Sequence, residues 1–188
     1  MTNQLAPLAA PYPPEIAAIL AGYPQQDGYL LSLFRTFANS LRFLRKGVPN
    51  LLDRESPLPL RMREIVILRT TANRRCEYEW GVHVSIFAKA ARLSPEQIAA
   101  TTAVAIDPAL WSETEAGLLA AIDALCRDGR MDDTLHTAFT AAWTKEQQLE
   151  IFALCGAYHT VSFVANSARL PGEPFGARFP ESAASQRS

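Results

Sequence analysis

One helix-start signal occurs three times in the second half of the chain. Ser94, Ser112 and Thr144 each stand three residues before a glutamine or a glutamate, which is the spacing of a capping box. Pro95 also occupies the first helical position after Ser94, where a proline is tolerated because its missing N–H has no helical partner there. The sequence therefore predicts that a helix begins directly after each of the three capping residues.

Nearly all of the sequence between the two termini is predicted to be helical. We expect nine helices, near residues 14–21, 29–36, 38–47, 59–73, 76–91, 95–102, 113–127, 132–142 and 145–168. Strands are not expected, because no alternating run rich in Val, Ile and Thr is bounded by turns. The pattern predicts an all-α fold.

The length of the chain and its termini predict one domain with two extensions. The 188 residues, of which 48% are hydrophobic, suffice for one compact domain with a sizeable core. Residues 1–13 are rich in Ala and Pro and predict an extended arm, and residues 14–170 are expected to form the helical domain. Residues 171–188 contain three prolines and a polar end, so we expect a tail rather than a core element.

Charge and hydropathy argue against several classes of partner. The net charge is −1 without a basic block, so nucleic acid is not a favoured partner. No apolar run approaches the roughly 20 residues that cross a bilayer, and the N-terminus lacks the pattern of an export signal. Three widely spaced cysteines, Cys76, Cys126 and Cys155, suit a reducing cytoplasm better than a disulfide framework. We expect a cytoplasmic protein that acts on a small molecule.

Three chemically active side chains share one face of the predicted helix 76–91. Each helical residue advances about 100°, which places Cys76, Glu79 and His83 on the same side as Trp80. That side also carries Phe87 and Ala90 and is expected to be buried. The opposite, exposed arc carries Glu77, Tyr78, Gly81, Ser85, Ala88 and Lys89. Buried ionisable groups are costly unless they are paired, and such pairs are often functional sites.

Each candidate residue also has an ordinary structural interpretation. Glu79 and His83 lie one turn apart, so the carboxylate could tune the imidazole for proton transfer, or the two could be an incidental surface pair. Cys76 stands in the first helical turn, where the helix dipole favours a thiolate, but free cysteines are usually inert and buried. Glu64 lies on the buried arc of the preceding helix and needs either a partner from helix 76–91 or an arginine.

Two polar residues of the last helix complete the list of candidates. Tyr158 and Asn166 are two turns apart and could present polar groups to a pocket, although helix-surface polarity explains them equally well. A metal site is not expected, because an HExxH motif is absent and the Cys76, Glu79 and His83 trio lacks a fourth ligand. No cofactor is expected either.

The order of Glu64, Cys76, Glu79 and His83 resembles the signature of the carboxymuconolactone decarboxylase and alkyl hydroperoxidase D superfamily. The run CEYEWGVH, followed by LSPEQIAA, is similar to one branch of it, and WSETEAGLLAAIDAL with the last helix fits the same branch. The resemblance covers roughly residues 10–175. It implies a helical bundle of the alkyl hydroperoxidase D type that forms homo-oligomers, with sites near the subunit contacts.

The resemblance implies two possible chemistries. In the hydroperoxidases a Cys-x-x-Cys pair reduces peroxide while a glutamate and a histidine relay protons, and Glu64, Cys76 and His83 match three of these positions. Glu79 replaces the second cysteine, and a carboxylate cannot form the disulfide. Cys126 or Cys155 could resolve Cys76 only if the fold brought one of them close. In the decarboxylases a glutamate precedes a histidine by one turn, as Glu79 precedes His83, but equivalents of Glu64 and Cys76 are missing.

We therefore expect a cofactor-independent acid–base enzyme, similar to a carboxy-lyase, that acts on a small organic acid or lactone. His83 would transfer the proton, Glu79 would orient the His83 imidazole, and Glu64 would complete the relay. Cys76 would line the pocket, and Trp80 would exclude water. The alternative is a peroxiredoxin-type peroxidase that uses Cys76 with a Glu64/His83 relay. A third hypothesis is a helical oligomer that binds a ligand without converting it. Helices 59–73 and 145–168 are expected to supply apolar surface for a dimer, trimer or hexamer.

Overall fold

The computed structural model describes residues 4–181 and confirms the all-α prediction. Within this range it has nine α-helices: α1 (Pro14–Leu20), α2 (Ser32–Phe37), α3 (Leu41–Lys46), α4 (Leu60–Asn73), α5 (Glu77–Phe87), α6 (Pro95–Ala100), α7 (Glu113–Asp128), α8 (Asp133–Ala142) and α9 (Lys145–Ser167). A single 3-10 turn, Pro108–Leu110, precedes α7. Among the described residues, no helix is both long and apolar enough to span a bilayer.

The three capping boxes form as the sequence predicts. The side chains of Ser94, Ser112 and Thr144 each accept a hydrogen bond from the backbone N–H three residues on, and the Gln or Glu at that position returns a bond to the capping residue. These bonds satisfy N–H groups that have no partner within the helix, so the starts of α6, α7 and α9 are defined locally. Gly129, with φ of +70°, ends α7 in the left-handed conformation that glycine adopts readily.

A short β-hairpin between α1 and α2 was not expected from the sequence. Strands β1 (Gln25–Gln26) and β2 (Tyr29–Leu30) pair in antiparallel fashion, so the prediction of a helix from residue 29 is wrong there. Asp27 and Gly28 have φ values of +49° and +79°, and an Asp-Gly pair is a strong signal for such a turn. Two residues per strand are too few to show an alternating pattern, which is why the hairpin was missed.

Helix α4 lies at the centre of the molecule and contacts α5, α7 and α9. Its residues 63–72 are all buried, including charged and hydroxyl side chains. The buried Arg69 guanidinium donates to both carboxylate oxygens of Asp123 in α7, at 2.6 and 2.7 Å. Because α4 is enclosed on every side, the polar residues that it carries must find their partners inside the domain.

The C-terminal segment, residues 171–181, packs against α5, which differs from the expectation of a tail. The buried Glu173 carboxylate accepts hydrogen bonds from the Tyr78 hydroxyl, from the backbone N–H of Ser32 at 2.7 Å and from the Tyr29 hydroxyl at 3.0 Å. A buried carboxylate with three donors is a strong local anchor. The composition of the segment suggested a tail because its anchor is one acidic residue among prolines. The division of the chain into an arm, a domain and a tail stays a prediction.

This packing explains why part of the supposedly exposed arc of α5 is buried. The backbone N–H of Ala177 donates to the carbonyl oxygen of Gly81 at 3.1 Å, so two backbones are in direct contact. A methyl group at Gly81 would lie 2.1 Å from the carbonyl oxygen of Ala177. Gly81 and Tyr78 are therefore covered by the C-terminal segment rather than by solvent.

The close contact at Gly81 predicts a selective effect of adding one methyl group. We expect Gly81→Ala to lower the free energy of unfolding by about 1–3 kcal/mol, the usual cost of overpacking, because Ala177 must move away. Gly117→Ala in α7 is the matched control, since a methyl group there meets no atom within 4 Å. Alanine is the better helix former, so the control should be neutral or more stable by up to about 1 kcal/mol. Urea unfolding measures both changes, and equal effects at the two positions would contradict this packing.

Candidate active site

The candidate site forms where α4, α5 and α9 meet. Helix α4 ends at Asn73, Arg75 adopts a left-handed φ of +53°, and α5 begins at Glu77. This tight break brings α5 back against α4, so that Glu64 of α4 faces His83 of α5. Tyr158 of α9 reaches the same point from the third helix.

A hydrogen-bonded chain runs through the buried imidazole of His83. Its Nδ1 lies 2.7 Å from Oε2 of Glu64, and its Nε2 lies 2.9 Å from the hydroxyl of Tyr158. Oε1 of Glu79 is 3.5 Å from the same Nε2. Glu64, Glu79 and His83 are all buried. The structure thus brings together the two carboxylates and the imidazole that the sequence placed on adjacent helices, and Tyr158 joins them.

Glu64, rather than Glu79, makes the closer contact with the imidazole of His83. Glu79 was expected to orient His83, but the one-turn spacing leaves it beside Nε2 at 3.5 Å. Glu64 makes the shorter contact, at Nδ1, because the packing of α4 on α5 points it directly at the ring. A carboxylate at Nδ1 holds the proton on that nitrogen and turns Nε2 toward Tyr158. Oε1 of Glu64 is also 3.5 Å from Nε of Arg63. Glu64 therefore has both partners considered from the sequence, a residue of the next helix and an arginine.

The charges around His83 favour the imidazolium form. Burial by itself lowers the pKa of His83, but the charges and hydrogen bonds of Glu64 and then Glu79 outweigh it and raise the pKa to about 9. At neutral pH the ring then carries a proton on each nitrogen, and Nε2 donates to the Tyr158 oxygen. Burial, followed by the negative charges of Glu79 and Glu64, raises the pKa of Tyr158 well above 10, so the phenol keeps its proton.

Cys76 lies behind Glu79 and lacks the properties of a reactive thiol. It precedes α5 and is 0% exposed. Burial raises the pKa of Cys76 to about 11, and the charge of Glu79 adds to this. The expectation that the helix start favours a thiolate therefore fails, because burial outweighs the helix dipole. Cys155 is also buried, and its thiol lies 3.6 Å from the Thr70 hydroxyl.

A cavity of about 400 Å³ opens beside this hydrogen-bonded chain. Glu79 and Tyr158 form part of its wall, so a carboxylate and a phenol are both available to a bound molecule. Most of the remaining wall is apolar and comes from α2, α3, the loop after α3 and α9: Leu33, Phe34, Phe37, Leu44, Val48, Leu51, Leu52, Ala157 and Val161. Pockets of this size and composition are typical of small-molecule sites.

Other predicted site residues lie away from this cavity. Trp80 donates from Nε1 to the Thr101 hydroxyl at 2.9 Å and packs its ring against Phe179, and it does not line the cavity. Asn166 is exposed and donates to the backbone oxygen of Arg74 at 2.9 Å, so it closes the break between α4 and α5. Cys76, too, is not among the residues that line the cavity. Helical spacing placed Cys76, Glu79, Trp80 and His83 on a buried face, but it could not show which part of the buried surface borders open space.

The cavity wall formed by residues 22–52 was missed at the sequence level. These residues are mostly apolar and carry no motif, so the only available signal was their hydrophobicity. Arg45, the wall's basic residue, stands in a helix of six residues with no distinguishing pattern. In the described part of the chain, no group of three or more His, Cys, Asp or Glu side chains is arranged to hold a metal ion.

The central part of the chain is similar to a known protein family. Residues 43–123, which include Glu64, Cys76, Glu79 and His83, match the model of the carboxymuconolactone decarboxylase family. Over these residues the chain is similar to the carboxymuconolactone decarboxylase family. The matched region ends before α9, so Tyr158 lies outside it. No curated protein sequence matches the chain significantly.

Several solved structures share the fold of this chain. The debrominase Bmp8 aligns with a TM-score of 0.74 at 16% identity, over 93% of this chain and 94% of its own. A peroxidase-related protein from Silicibacter sp. TM1040 gives 0.73 at 14%, over 93% and 96%. A candidate antioxidant defence protein, AhpD, from Agrobacterium tumefaciens gives 0.58 at 22%, over 64% and 82%. At these identities the likeness shows a common fold and leaves the activity open.

The raised pKa of His83 predicts how stability depends on pH. The folded protein holds this proton up to about pH 9, whereas an unfolded histidine releases it near 6.5. The stabilisation is therefore complete below pH 6.5 and is lost as the pH rises through about 9, by up to about 3 kcal/mol. Urea unfolding between pH 6 and pH 9 measures this loss.

Two variants show whether the loss belongs to His83. The part of the decrease in unfolding free energy that is due to His83 should disappear in His83→Gln. It should persist in His136→Gln, which changes an exposed histidine of α8. Because unfolded cysteines also begin to ionise near pH 9, the difference between wild type and His83→Gln is the decisive quantity. A difference that does not change with pH would contradict a raised pKa for His83.

Proposed function

We propose that this protein is a cofactor-independent acid–base enzyme that transfers a proton to or from a small organic acid or lactone. The observation that carries this proposal is the continuous chain from Glu64 through His83 to Tyr158, which ends at the cavity wall. Glu79, on the same wall, supplies a carboxylate next to the phenol. An acid and a base thus line the same cavity.

The proposed acid is the Tyr158 hydroxyl, supported by His83. Tyr158 gives its proton to the substrate and recovers one from the imidazolium Nε2, 2.9 Å away. Nδ1 keeps its hydrogen bond to Glu64, so the ring does not turn during the transfer. Glu79 acts as the base, because its carboxylate lines the cavity and its Oε2 has no hydrogen-bond partner among the described residues.

A decarboxylation fits these groups. Loss of carbon dioxide leaves an electron pair on carbon, and a proton must reach that carbon before the reaction can complete. Tyr158 and His83 can supply the proton without a metal or cofactor. The apolar wall keeps bulk water away from the reacting carbon and strengthens the electrostatic effect of the nearby charges.

The alternative function is a thiol peroxidase centred on Cys76. It is favoured by the place of Cys76 beside Glu79 and by the fold shared with a peroxidase-related protein. Two observations argue against it. The Cys76 side chain is 0% exposed, and its pKa is raised to about 11, so little thiolate is present at neutral pH. Glu79 also cannot act as the resolving sulfur.

We further propose that the working form is a cytoplasmic homo-oligomer. Residues 63–72 of α4 are buried and offer no surface, but α9 exposes Leu149, Phe152 and Phe163 on one side. Exposed apolar side chains aligned on one helix are typical of contacts between subunits. The three free cysteines support a reducing compartment.

The proposed function can be tested without knowing the natural substrate. A panel of small carboxylic acids and lactones, including 4-carboxymuconolactone, is incubated with the protein in deuterated water, and NMR records carbon-bound deuterium and loss of carboxylate. We expect Tyr158→Phe and His83→Gln to lower kcat/KM by about 10²–10⁴-fold, the usual contribution of general acid–base catalysis. Tyr12→Phe and His136→Gln are the matched controls and should retain wild-type activity. Full activity in a folded Tyr158→Phe variant would contradict the assigned acid.

Cys76→Ser separates the two functions. The acid–base enzyme should keep most of its activity, because the sulfur does not reach the cavity. The alternative requires that the wild type consume hydrogen peroxide or tert-butyl hydroperoxide and that Cys76→Ser abolish this consumption. Peroxide turnover that depends on Cys76, without any proton exchange, would overturn our proposal.

A further inference from the structure

The cavity beside Tyr158 carries opposite charges at its inner and outer parts. Among its lining residues, the charged side chains are the Glu79 carboxylate and the Arg45 guanidinium. Glu79 is 6% exposed and belongs to the buried chain of the site. Arg45 stands in α3, and its side chain is 50% exposed, so it marks the solvent side of the cavity. A molecule that fills the cavity from wall to mouth would meet both charges.

The inner charge requires a hydrogen-bond donor. Oε1 of Glu79 faces His83, but its Oε2 is buried and has no hydrogen-bond partner among the described residues. Buried carboxylate oxygens almost always accept a hydrogen bond, because an unpaired one is strongly unfavourable. A bound molecule with an O–H or N–H group at its inner end would satisfy this oxygen.

The outer charge is able to hold an anion. Arg45 already pairs with Glu15 of α1, but both side chains are largely exposed, and exposed ion pairs are weak. A guanidinium has five N–H donors in a planar fork, so it can bind a second carboxylate while it keeps the first or in exchange for it.

The wall between the two charges favours a ring. Tyr23, Phe34 and Phe37 form a continuous aromatic surface, with ring centroids 4.7 Å apart for the first pair and 6.2 Å for the second. All three line the cavity. Aromatic side chains bind flat apolar rings well through offset or tilted contacts.

We propose that the ligand of this cavity is a ring-bearing organic acid with a proton-donating group at the end opposite its carboxylate. The donor binds Oε2 of Glu79, the ring lies on the aromatic surface of Tyr23, Phe34 and Phe37, and the carboxylate pairs with Arg45. The inference rests on the proposed function in taking this cavity as the substrate site. It goes further in naming the substrate class and in giving Arg45 the role of selecting acids.

Three related probes separate the contributions of the two ends. 4-Hydroxycinnamate has both groups, cinnamate lacks the donor, and 4-vinylphenol lacks the carboxylate. In isothermal titration calorimetry with the full chain, we expect 4-hydroxycinnamate to bind about tenfold more tightly than either of the others, as charge-assisted hydrogen bonds predict. 4-Aminocinnamate tests whether an N–H donor replaces the O–H donor.

Variants assign each end to its residue. Arg45→Gln should weaken the two carboxylate-bearing probes about tenfold and leave 4-vinylphenol unchanged, whereas Arg42→Gln on the same helix should change none of them. Glu15→Gln should tighten the acids, because it removes the competing carboxylate from Arg45. In Glu79→Gln the advantage of 4-hydroxycinnamate over cinnamate should shrink. The comparison of probes on the wild type remains decisive if a variant does not fold.

Two results would overturn this inference. One is equal affinity of the wild type for all three probes, which would mean that the cavity recognises apolar surface alone. The other is an Arg45→Gln effect of the same size on 4-vinylphenol as on the acids. Since binding is measured without turnover, tight binding without proton exchange would refute the proposed function only. Proton exchange on aliphatic acids, without binding of the ring-bearing probes, would refute this inference only.

Discussion

The buried contact between Glu64 and His83 organises the rest of this molecule. The two groups come from α4, at the centre of the molecule, and from α5, which packs against it. Either group would be strongly unfavourable at this buried position without the other. Their pairing fixes one nitrogen of the imidazole, and the other nitrogen is thereby directed to Tyr158 and the cavity. Three features hold these two side chains in position: the burial of α4, the tight break before α5 and the C-terminal segment that covers α5.

The same packing sets the charge of both His83 and Cys76. The charges of Glu64 and Glu79 outweigh burial and keep His83 charged, whereas burial and the charge of Glu79 together keep the Cys76 thiol protonated. With Glu79 where a second sulfur would stand, the negative charge raises the pKa of the thiol further and lines the cavity with an oxygen base. The cavity is thereby lined by groups that can transfer a proton, and the Cys76 sulfur is not among its lining groups.

Local signals predicted much of the fold and the centre of the site. The capping boxes at Ser94, Ser112 and Thr144 are satisfied within a few residues, so their helices could be identified from sequence alone. The one-turn spacing of Glu79 and His83 likewise placed both on a buried face. Contacts between distant parts of the chain were not predictable in this way. Glu173 reaches Ser32 across 141 positions, and the aromatic surface and Arg45 come from a segment whose sequence has no motif.

The ¹⁵N NMR shifts of the His83 ring, followed between pH 5 and pH 10, test the central contact most directly. We predict that both ring nitrogens are protonated at neutral pH and that the ring loses its proton near pH 9. In Glu64→Gln the partner charge is removed while burial remains, so the pKa of His83 should fall by more than one unit. A wild-type ring that titrates at or below pH 6.5, or a pKa that Glu64→Gln does not change, would contradict the account.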